Sequence, residues 1–267
     1  MRKNYQRRER KSNLKLSQVR RASTVPGSRP ESREPPYSDR RQERNTDMYL
    51  DGLCVNQDLD PQTQSQLHTS GQETLLLQDK SNGYEQVAGR FMSARNLRTG
   101  AAIIREWSRT VPSRSAILDL GCGHGVPISQ TLVEEGFTVF GVDASRTLIE
   151  AFRKRFPNAF VECAGVEDSE FFQRTFDGVV ACGLMFLMPE DTQSLVIRKV
   201  ARALNPNGRF LFTSPKEIVK WRDALTDRES LSLGAKRYHE ILDAEGFDVV
   251  GERSDEGGNY YYLASKR

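Results

Sequence analysis

Short apolar runs alternate with amphipathic segments along the second half of the chain. Each run has the length of a buried strand, and the segment after it places its apolar residues on one helical face. Strands and helices that alternate in this way form a parallel sheet covered by helices on both faces. The predicted strands are 116–120, 138–142, 160–162, 178–182 and 209–213, and the predicted helices begin near Pro127, Ser145 and Glu190.

The chain ends on a different pattern. A helix is predicted from about Ser232 to Glu245, where Gly246 terminates it. Two strand-like runs follow at 247–252 and 260–265, with only a turn-rich segment between them. Strands joined by so short a connection must be antiparallel. The pattern therefore predicts a C-terminal antiparallel hairpin.

The first half of the chain divides near residue 80. Residues 1–80 are polar, rich in Arg, Gln and Ser, and without sustained apolar periodicity. This composition predicts a disordered basic tail. An apolar helical face begins at Tyr84 and extends over two short helices that separate near Gly100. We interpret residues 81–110 as a helical lid in front of a core that spans 111–267.

Charge is unevenly distributed along the chain. Residues 1–44 contain 14 Lys and Arg against 5 Asp and Glu, while the whole chain has a net charge of +3, so residues 45–267 have a net charge of −6. A domain that binds duplex or folded nucleic acid normally carries its own basic surface. We therefore expect no nucleic-acid partner for the core.

Composition narrows the class of protein further. The 267 residues, 37% of them hydrophobic, suffice for one sizeable core. No run approaches the roughly 18 apolar residues of a membrane helix, and the first residues lack the apolar core of a secretory signal. We expect a cytoplasmic protein with no membrane span, whose four cysteines remain reduced. The three histidines are scattered, so we expect no metal site.

A glycine-rich turn follows the first predicted strand. Gly121, Gly123 and Gly125 lie between an apolar run and a helical segment, where glycine lets the backbone approach a ligand closely. Asp143 ends the next strand, 22 positions after Gly121. In a strand–helix–strand unit this spacing places a carboxylate within reach of both ribose hydroxyls. The pair predicts a cofactor that contains adenosine.

Two cofactor classes share this geometry. A dinucleotide fingerprint needs Gly or Ala at position 126, where this chain has Val126. Asp119 precedes the loop, and its charge repels a pyrophosphate but suits an ammonium or sulfonium group. We expect Asp119 at the edge of its strand, bonded to backbone amides or to such a cation. The electrostatics favour S-adenosylmethionine.

Four segments in order resemble the motifs of class I S-adenosylmethionine-dependent methyltransferases: 118–125, 142–145, 176–180 and 204–211. The resemblance implies a Rossmann-like, doubly wound α/β fold with a mostly parallel seven-stranded sheet, completed by the C-terminal hairpin. It also implies methyl transfer, with Glu167 or Asp168 at the adenine. The implied cofactor-binding residues are Asp119, Gly121, Cys122, Gly123, Gly125, Asp143, Ala144, Glu167, Asp168 and Cys182.

The acceptor side gives weaker signals. The family places its active-site floor after the fourth strand, where this chain has the apolar Met185 and Phe186. Enzymes of the superfamily that methylate base amino groups typically have Asn or Asp, two prolines and an aromatic residue there. We expect a small-molecule acceptor that is partly apolar and bound by Met185, Phe186 and Trp221. The candidates for closing the pocket or handling a proton are Tyr84, Arg90, Trp221, Tyr238 and His239, with His239 and Tyr84 as candidate catalytic residues.

Two other functions remain open on the sequence. The first is a nicotinamide-dependent oxidoreductase, which Val126 and Asp119 disfavour. The second is a non-catalytic module that binds the cofactor through the same fold.

Overall fold

A seven-stranded sheet organises the structure, a computed structural model that describes residues 79–267. Strands β1 to β5 are parallel, and β9 pairs antiparallel with both β5 and β8, in the order β3-β2-β1-β4-β5-β9-β8. The predicted fold class is confirmed. The strands are β1 Ala116–Leu120, β2 Thr138–Asp143, β3 Phe160–Cys163, β4 Phe176–Ala181, β5 Leu204–Thr213, β6 Ile218–Arg222, β7 Glu229–Leu233, β8 Phe247–Ser254 and β9 Tyr260–Lys266.

Helices cover both faces of the sheet. Successive residues of a strand point to opposite faces, so Ile117 packs with α2, α3 and α4, whereas Leu118 packs with α5 and α6. The two faces form two buried apolar clusters. The helices are α1 Tyr84–Ala94, α2 Ala101–Ser108, α3 Ile128–Glu134, α4 Arg146–Arg155, α5 Glu190–Ala203 and α6 Gly234–Ala244, with short 3-10 turns at Phe171–Gln173 and Met185–Leu187.

Side-chain hydrogen bonds define the start of α4. Ser145 caps the helix, and its hydroxyl accepts a hydrogen bond from the Leu148 amide at 3.2 Å. Glu85 of α1 accepts hydrogen bonds from the Ser145 hydroxyl and from the Thr147 hydroxyl, the latter at 2.7 Å. The first helix is thereby attached to the helix that follows β2.

The hairpin of β6 and β7 was not predicted from sequence. It forms a separate two-stranded sheet between β5 and α6, and the predicted start of the last helix at Ser232 moves to Gly234. Buried hydrogen bonds hold it on the domain: the Tyr238 hydroxyl lies 2.8 Å from the Ser214 hydroxyl and donates to Gln193 at 2.7 Å. Gln193 in turn donates to the Leu231 carbonyl at 2.9 Å.

Most of the predicted tail, residues 1–78, lies outside the described residues. Asp79 and Lys80 were assigned to that tail, yet both contact the domain: Asp79 pairs with Arg228 at 3.0 Å and Lys80 with Glu167 at 2.9 Å. Within residues 79–267, no helix combines the length and the apolar character needed to cross a membrane.

Candidate active site

A cavity of about 410 Å³ opens at the carboxyl ends of β1, β2 and β4. Here the chain reverses direction across the sheet, because β2 and β3 lie on one side of β1 and β4 and β5 lie on the other. Ligands of open α/β sheets bind at such a switch point. The cavity therefore lies where the predicted cofactor loop and the predicted acceptor residues meet.

The glycine loop forms one wall of the cavity. Gly121 and Gly123 have positive φ angles of 68° and 54° and line the cavity together with Cys122. A Cβ at Gly121 would lie 3.1 Å from the Leu184 side chain, so glycine keeps the passage between the loop and the segment after β4 open.

Gly125 has a different role from the predicted one. It does not line the cavity, and a Cβ on it would lie 2.9 Å from the Phe152 ring and against the Phe156 ring. Its φ of 85° also disfavours any other residue. Gly125 is therefore required for packing of the loop against α4, and its assignment as a cofactor contact was wrong.

Asp143 joins the glycine loop to the end of β2. Its Oδ2 accepts a hydrogen bond from the Gly123 amide at 2.8 Å, and its Oδ1 accepts one from the Ser145 amide at 2.8 Å. Burial raises the pKa of Asp143, the two amide hydrogen bonds oppose that shift, and the nearby charge of Glu85 adds to it. Asp143 and its neighbour Ala144, both predicted to bind the cofactor, line the cavity.

Asp119 is almost completely buried, with 1% of its surface exposed, and lines the cavity from within β1. The Ser129 hydroxyl donates a hydrogen bond to its Oδ2 at 2.5 Å, so its partner is a side chain and not the expected backbone amides. Burial raises its pKa to about 7, with a further contribution from the charge of Asp143. Asp119 and Asp143 are neighbouring acids that form no ion pair within residues 79–267, which makes this part of the cavity favourable for a positively charged group.

The two acids proposed to contact the adenine occupy different positions in the structure. Glu167 lines the cavity and accepts a hydrogen bond from the Lys80 ammonium at 2.9 Å. Asp168 is 59% exposed in its side chain and is not among the lining residues, so the structure favours Glu167. Cys182, which immediately follows β4 and was predicted to bind the cofactor, also lines the cavity.

The far end of the cavity is apolar and aromatic. Phe186 and Trp221 line it, with ring centroids 5.2 Å apart, and Leu184 lies between them and the glycine loop. Met185 is fully buried in the apolar cluster under α5 and α6, because the 3-10 turn directs it away from its neighbour Phe186. The expectation that Met185 lines the pocket was wrong.

Of the two candidate catalytic residues, only one lines the cavity. Tyr84 lines the cavity, but its hydroxyl donates to Asp223 at 3.0 Å, and burial together with this carboxylate raises its pKa. His239 lies outside the cavity, with its Nε2 2.7 Å from a carboxylate oxygen of Glu252. Its assignment as a catalytic residue was wrong.

Two other candidates also lie outside the cavity. Arg90 is exposed on α1, and Tyr238 belongs to the buried network that holds the β6–β7 hairpin.

Residues 79–84, which we call the strap, contribute Lys80 and Tyr84 to the lining of the cavity. Besides the Lys80 and Tyr84 contacts, the strap is fixed by the ion pair of Asp79 with Arg228. Both Asp223 and Arg228 belong to the connection between β6 and β7. The strap is therefore bonded to this connection beside the cavity, which Trp221 and Asp223 also line.

Sequence reasoning missed three residues that line the cavity with polar atoms. The Nδ2 of Asn82, the Nε of Arg95 and the Nδ1 of His124 are buried without a hydrogen-bond partner in the described part of the chain. Arg95 immediately follows α1 and His124 lies in the glycine loop. Nothing in the local sequence pattern brings positions 95 and 124 together, so no signal could have identified them.

Comparison with known proteins agrees with this geometry. Residues 117–208 match a family model described as a methyltransferase domain. The match supports an assignment to the class I S-adenosylmethionine-dependent methyltransferase superfamily. It begins in β1 and ends within β5, so it includes the glycine loop, Asp143 and the segment after β4.

Curated relatives match only parts of this chain. A methyltransferase of Schizosaccharomyces pombe is 30% identical over 144 residues, which are 48% of this chain and 55% of that protein. A tRNA (carboxymethyluridine(34)-5-O)-methyltransferase of Macaca fascicularis is 36% identical over 78 residues, 29% of this chain and 11% of that protein. The chain thus spans about half the length of the first relative and much less of the second.

Solved structures share the fold. The crystal structure of the glycopeptide N-methyltransferase MtfA complexed with sinefungin superimposes with a TM-score of 0.53 at 19% identity, over 63% of this chain and 94% of that one. This likeness supports the fold described above.

Proposed function

We propose that the protein transfers a methyl group from S-adenosylmethionine to a small, partly apolar acceptor. The observation that carries this proposal is the composition of the cavity. One end combines the glycine loop with Asp119 and Asp143, and the other is formed by Phe186 and Trp221. A charged cofactor and a partly apolar acceptor would meet between these two ends.

The residues present fit this cofactor. The backbone at Gly121 and Gly123 leaves the space that a nucleoside needs, and Asp143 faces the cavity where ribose hydroxyls would bind. Asp119 is a buried carboxylate with only a hydroxyl partner, and an ammonium group would supply the charge that it lacks. Glu167 lines the same cavity and would accept a hydrogen bond from the adenine amino group.

The contribution of the protein to the reaction would be mainly positioning. When bound, the cofactor supplies a methyl group that its sulfonium has already activated. Leu184, Phe186 and Trp221 would orient the acceptor, and the strap would exclude water from it. The raised pKa of Tyr84 keeps its hydroxyl protonated, so Tyr84 would not act as the base that deprotonates the acceptor.

The competing functions predict different ligands. Val126 is 7% exposed at the position where a dinucleotide site needs a small residue, which weighs against a nicotinamide cofactor. A non-catalytic module would bind the cofactor but transfer nothing. One of the relatives named above is a tRNA methyltransferase, which makes RNA the principal macromolecular alternative to a small acceptor.

The test incubates the full chain with S-adenosylmethionine labelled in its methyl group and with separate pools of RNA, DNA, protein and small-molecule extract. The proposal expects label mainly in the small-molecule pool. Dominant labelling of RNA would show that the acceptor is RNA and not a small molecule, and it would still support methyl transfer. Binding of the cofactor without labelling of any pool would favour the non-catalytic module.

A further inference from the structure

Glu85, in the first turn of α1, contacts the start of α4 beside the cavity. Its Oε1 accepts a hydrogen bond from the Thr147 hydroxyl at 2.7 Å. Its Oε2 accepts one from the Thr147 amide at 3.2 Å and another from the Ser145 hydroxyl. Glu85 is not among the residues that line the cavity, so any effect on a ligand must pass through residues that do.

The hydrogen bonds continue from Ser145 to the glycine loop. The Ser145 amide donates to Oδ1 of Asp143 at 2.8 Å, and the Gly123 amide donates to Oδ2 of the same carboxylate at 2.8 Å. Asp143 and Gly123 line the cavity, whereas Ser145 is fully buried behind them. Glu85 is thus connected to the proposed ribose site through one buried residue.

Each carboxylate oxygen of Asp143 receives one backbone amide. A carboxylate oxygen can accept two hydrogen bonds, so each oxygen keeps one acceptor position for a ribose hydroxyl. The two amides fix the rotation of the carboxylate about its Cβ–Cγ bond. The direction of the remaining acceptor positions therefore depends on where the chain places Ser145.

The Ser145 hydroxyl takes part in two hydrogen bonds of opposite direction. It accepts one from the Leu148 amide at 3.2 Å, as the cap of α4, and donates the other to Glu85. The cap bond fixes Ser145 relative to its own helix. The bond to Glu85 fixes it relative to α1, whose residues Tyr84 and Phe91 line the cavity. The first helix and the acid at the end of β2 are thereby held in one arrangement.

The charge of Glu85 has a cost at this position. Burial raises the pKa of Asp143, and the nearby charge of Glu85 adds to that shift. An uncharged acceptor would attach α1 to α4 without this repulsion. A carboxylate, however, forms charge-assisted hydrogen bonds, which are shorter and stronger than neutral ones. The repulsion is therefore offset where the exact position of Ser145 matters.

We propose that Glu85 is a positioning residue of the cofactor site, which orients the Asp143 carboxylate toward the ribose hydroxyls through Ser145. The inference rests on the proposed function, because it requires Asp143 to bind the ribose of the cofactor. It gives the start of α1 a part in cofactor recognition, although Glu85 itself touches no ligand.

The experiment compares two ligands that differ only at the ribose. S-adenosylhomocysteine has both ribose hydroxyls, and its 2′,3′-dideoxy analogue lacks them. Glu85→Gln keeps one carbonyl acceptor and removes the charge. In calorimetry with the full chain, this variant should weaken S-adenosylhomocysteine about 3- to 10-fold and leave the dideoxy analogue unchanged. A merely structural role would weaken both ligands by the same factor.

Three further variants separate positioning from attachment of α1. Ser145→Ala removes the hydroxyl that Glu85 accepts from and should show the same dependence on the ribose hydroxyls, so it provides the test if Glu85→Gln does not fold. In an Asp143→Asn background, Glu85→Gln should have no additional effect, because the acceptor that it orients is already lost. Glu150→Gln removes a carboxylate from the exposed face of α4 and should change the affinity of neither ligand.

Equal weakening of both ligands by Glu85→Gln and Ser145→Ala, or no weakening of either, would overturn the positioning role. An undiminished effect of Glu85→Gln in the Asp143→Asn background would also overturn it. In each of these cases the wild type still binds S-adenosylhomocysteine, and the proposed function stands. Failure of the wild type to bind S-adenosylhomocysteine would instead overturn the proposed function, and the positioning role with it.

Discussion

The carboxylate of Asp143 accepts a hydrogen bond from the backbone amide of Gly123 at 2.8 Å. The acid at the end of β2 therefore stabilises the glycine loop as well as facing the cavity, and one side chain links the two features that identify the cofactor site.

Replacement of Asp143 should therefore affect binding and stability together. Asp143→Ala should weaken S-adenosylhomocysteine by about 1–3 kcal/mol and lower the free energy of unfolding by about 1 kcal/mol, because a buried amide loses its partner. Calorimetry and urea unfolding measure the two effects. Glu150→Gln on the exposed face of α4 is the control. Unchanged binding in Asp143→Ala would place the site elsewhere.

The glycines of the loop should divide into two classes. A Cβ at Gly125 would lie 2.9 Å from Phe152, whereas one at Gly123 would lie 3.5 Å from Phe91, an ordinary contact. Gly125→Ala should lower the free energy of unfolding by about 2 kcal/mol or more, with unchanged affinity in the folded fraction. Gly123→Ala should be less destabilising and should weaken the cofactor. The reverse ranking in thermal unfolding and calorimetry would contradict these roles.

Asp119 should make stability depend on pH. Its pKa is raised to about 7 in the folded protein, so between about pH 4 and 7 the folded state keeps a proton that the unfolded state releases. The free energy of unfolding should therefore fall as the pH rises through this range. Asp119→Asn retains an acceptor for the Ser129 hydroxyl but has no titrating carboxyl group, so its free energy of unfolding should not fall over this range. Between pH 4 and pH 8, the variant should therefore become more stable relative to the wild type by on the order of 3–4 kcal/mol. Parallel urea-unfolding profiles for the two proteins would contradict this.

The aromatic end of the cavity should govern the acceptor. Phe186→Ala and Trp221→Ala should each raise the acceptor KM about 10-fold or more while changing the cofactor KM little. Met185→Ala provides the comparison, because Met185 is next to Phe186 in sequence but fully buried in the core. This variant should lose about 2–5 kcal/mol of stability. Below its unfolding temperature, its acceptor KM should be unchanged. Steady-state kinetics with the identified acceptor separate the two effects.

The sequence predicted the parts of the fold that have strong local patterns. β1 is an apolar run interrupted only by Asp119, and its observed limits, Ala116 and Leu120, are the predicted ones. The β6–β7 hairpin was not predicted because β6 is mostly exposed. Ile218 and Lys220 lie on the same face of β6, so the strand lacks the alternation of apolar and polar residues that predicts a half-buried strand.

The sequence predicted which residues lie at the site where local backbone geometry determines their position. It did not predict those whose position depends on tertiary contacts. Asp143 follows from its spacing to the loop. Adjacent Met185 and Phe186 are equally apolar in sequence, and only the 3-10 turn sends one to the core and the other to the cavity. Arg95 and His124 meet across Phe91, a contact that no spacing rule contains.

The central claim is that the cavity binds S-adenosylmethionine, and calorimetric titration of the full chain with S-adenosylhomocysteine tests it most directly. We expect saturable binding of one ligand per chain, which Asp143→Ala weakens and Glu150→Gln leaves unaffected. Absence of heat and of any thermal stabilisation at millimolar ligand, with the protein shown to be folded, would contradict it.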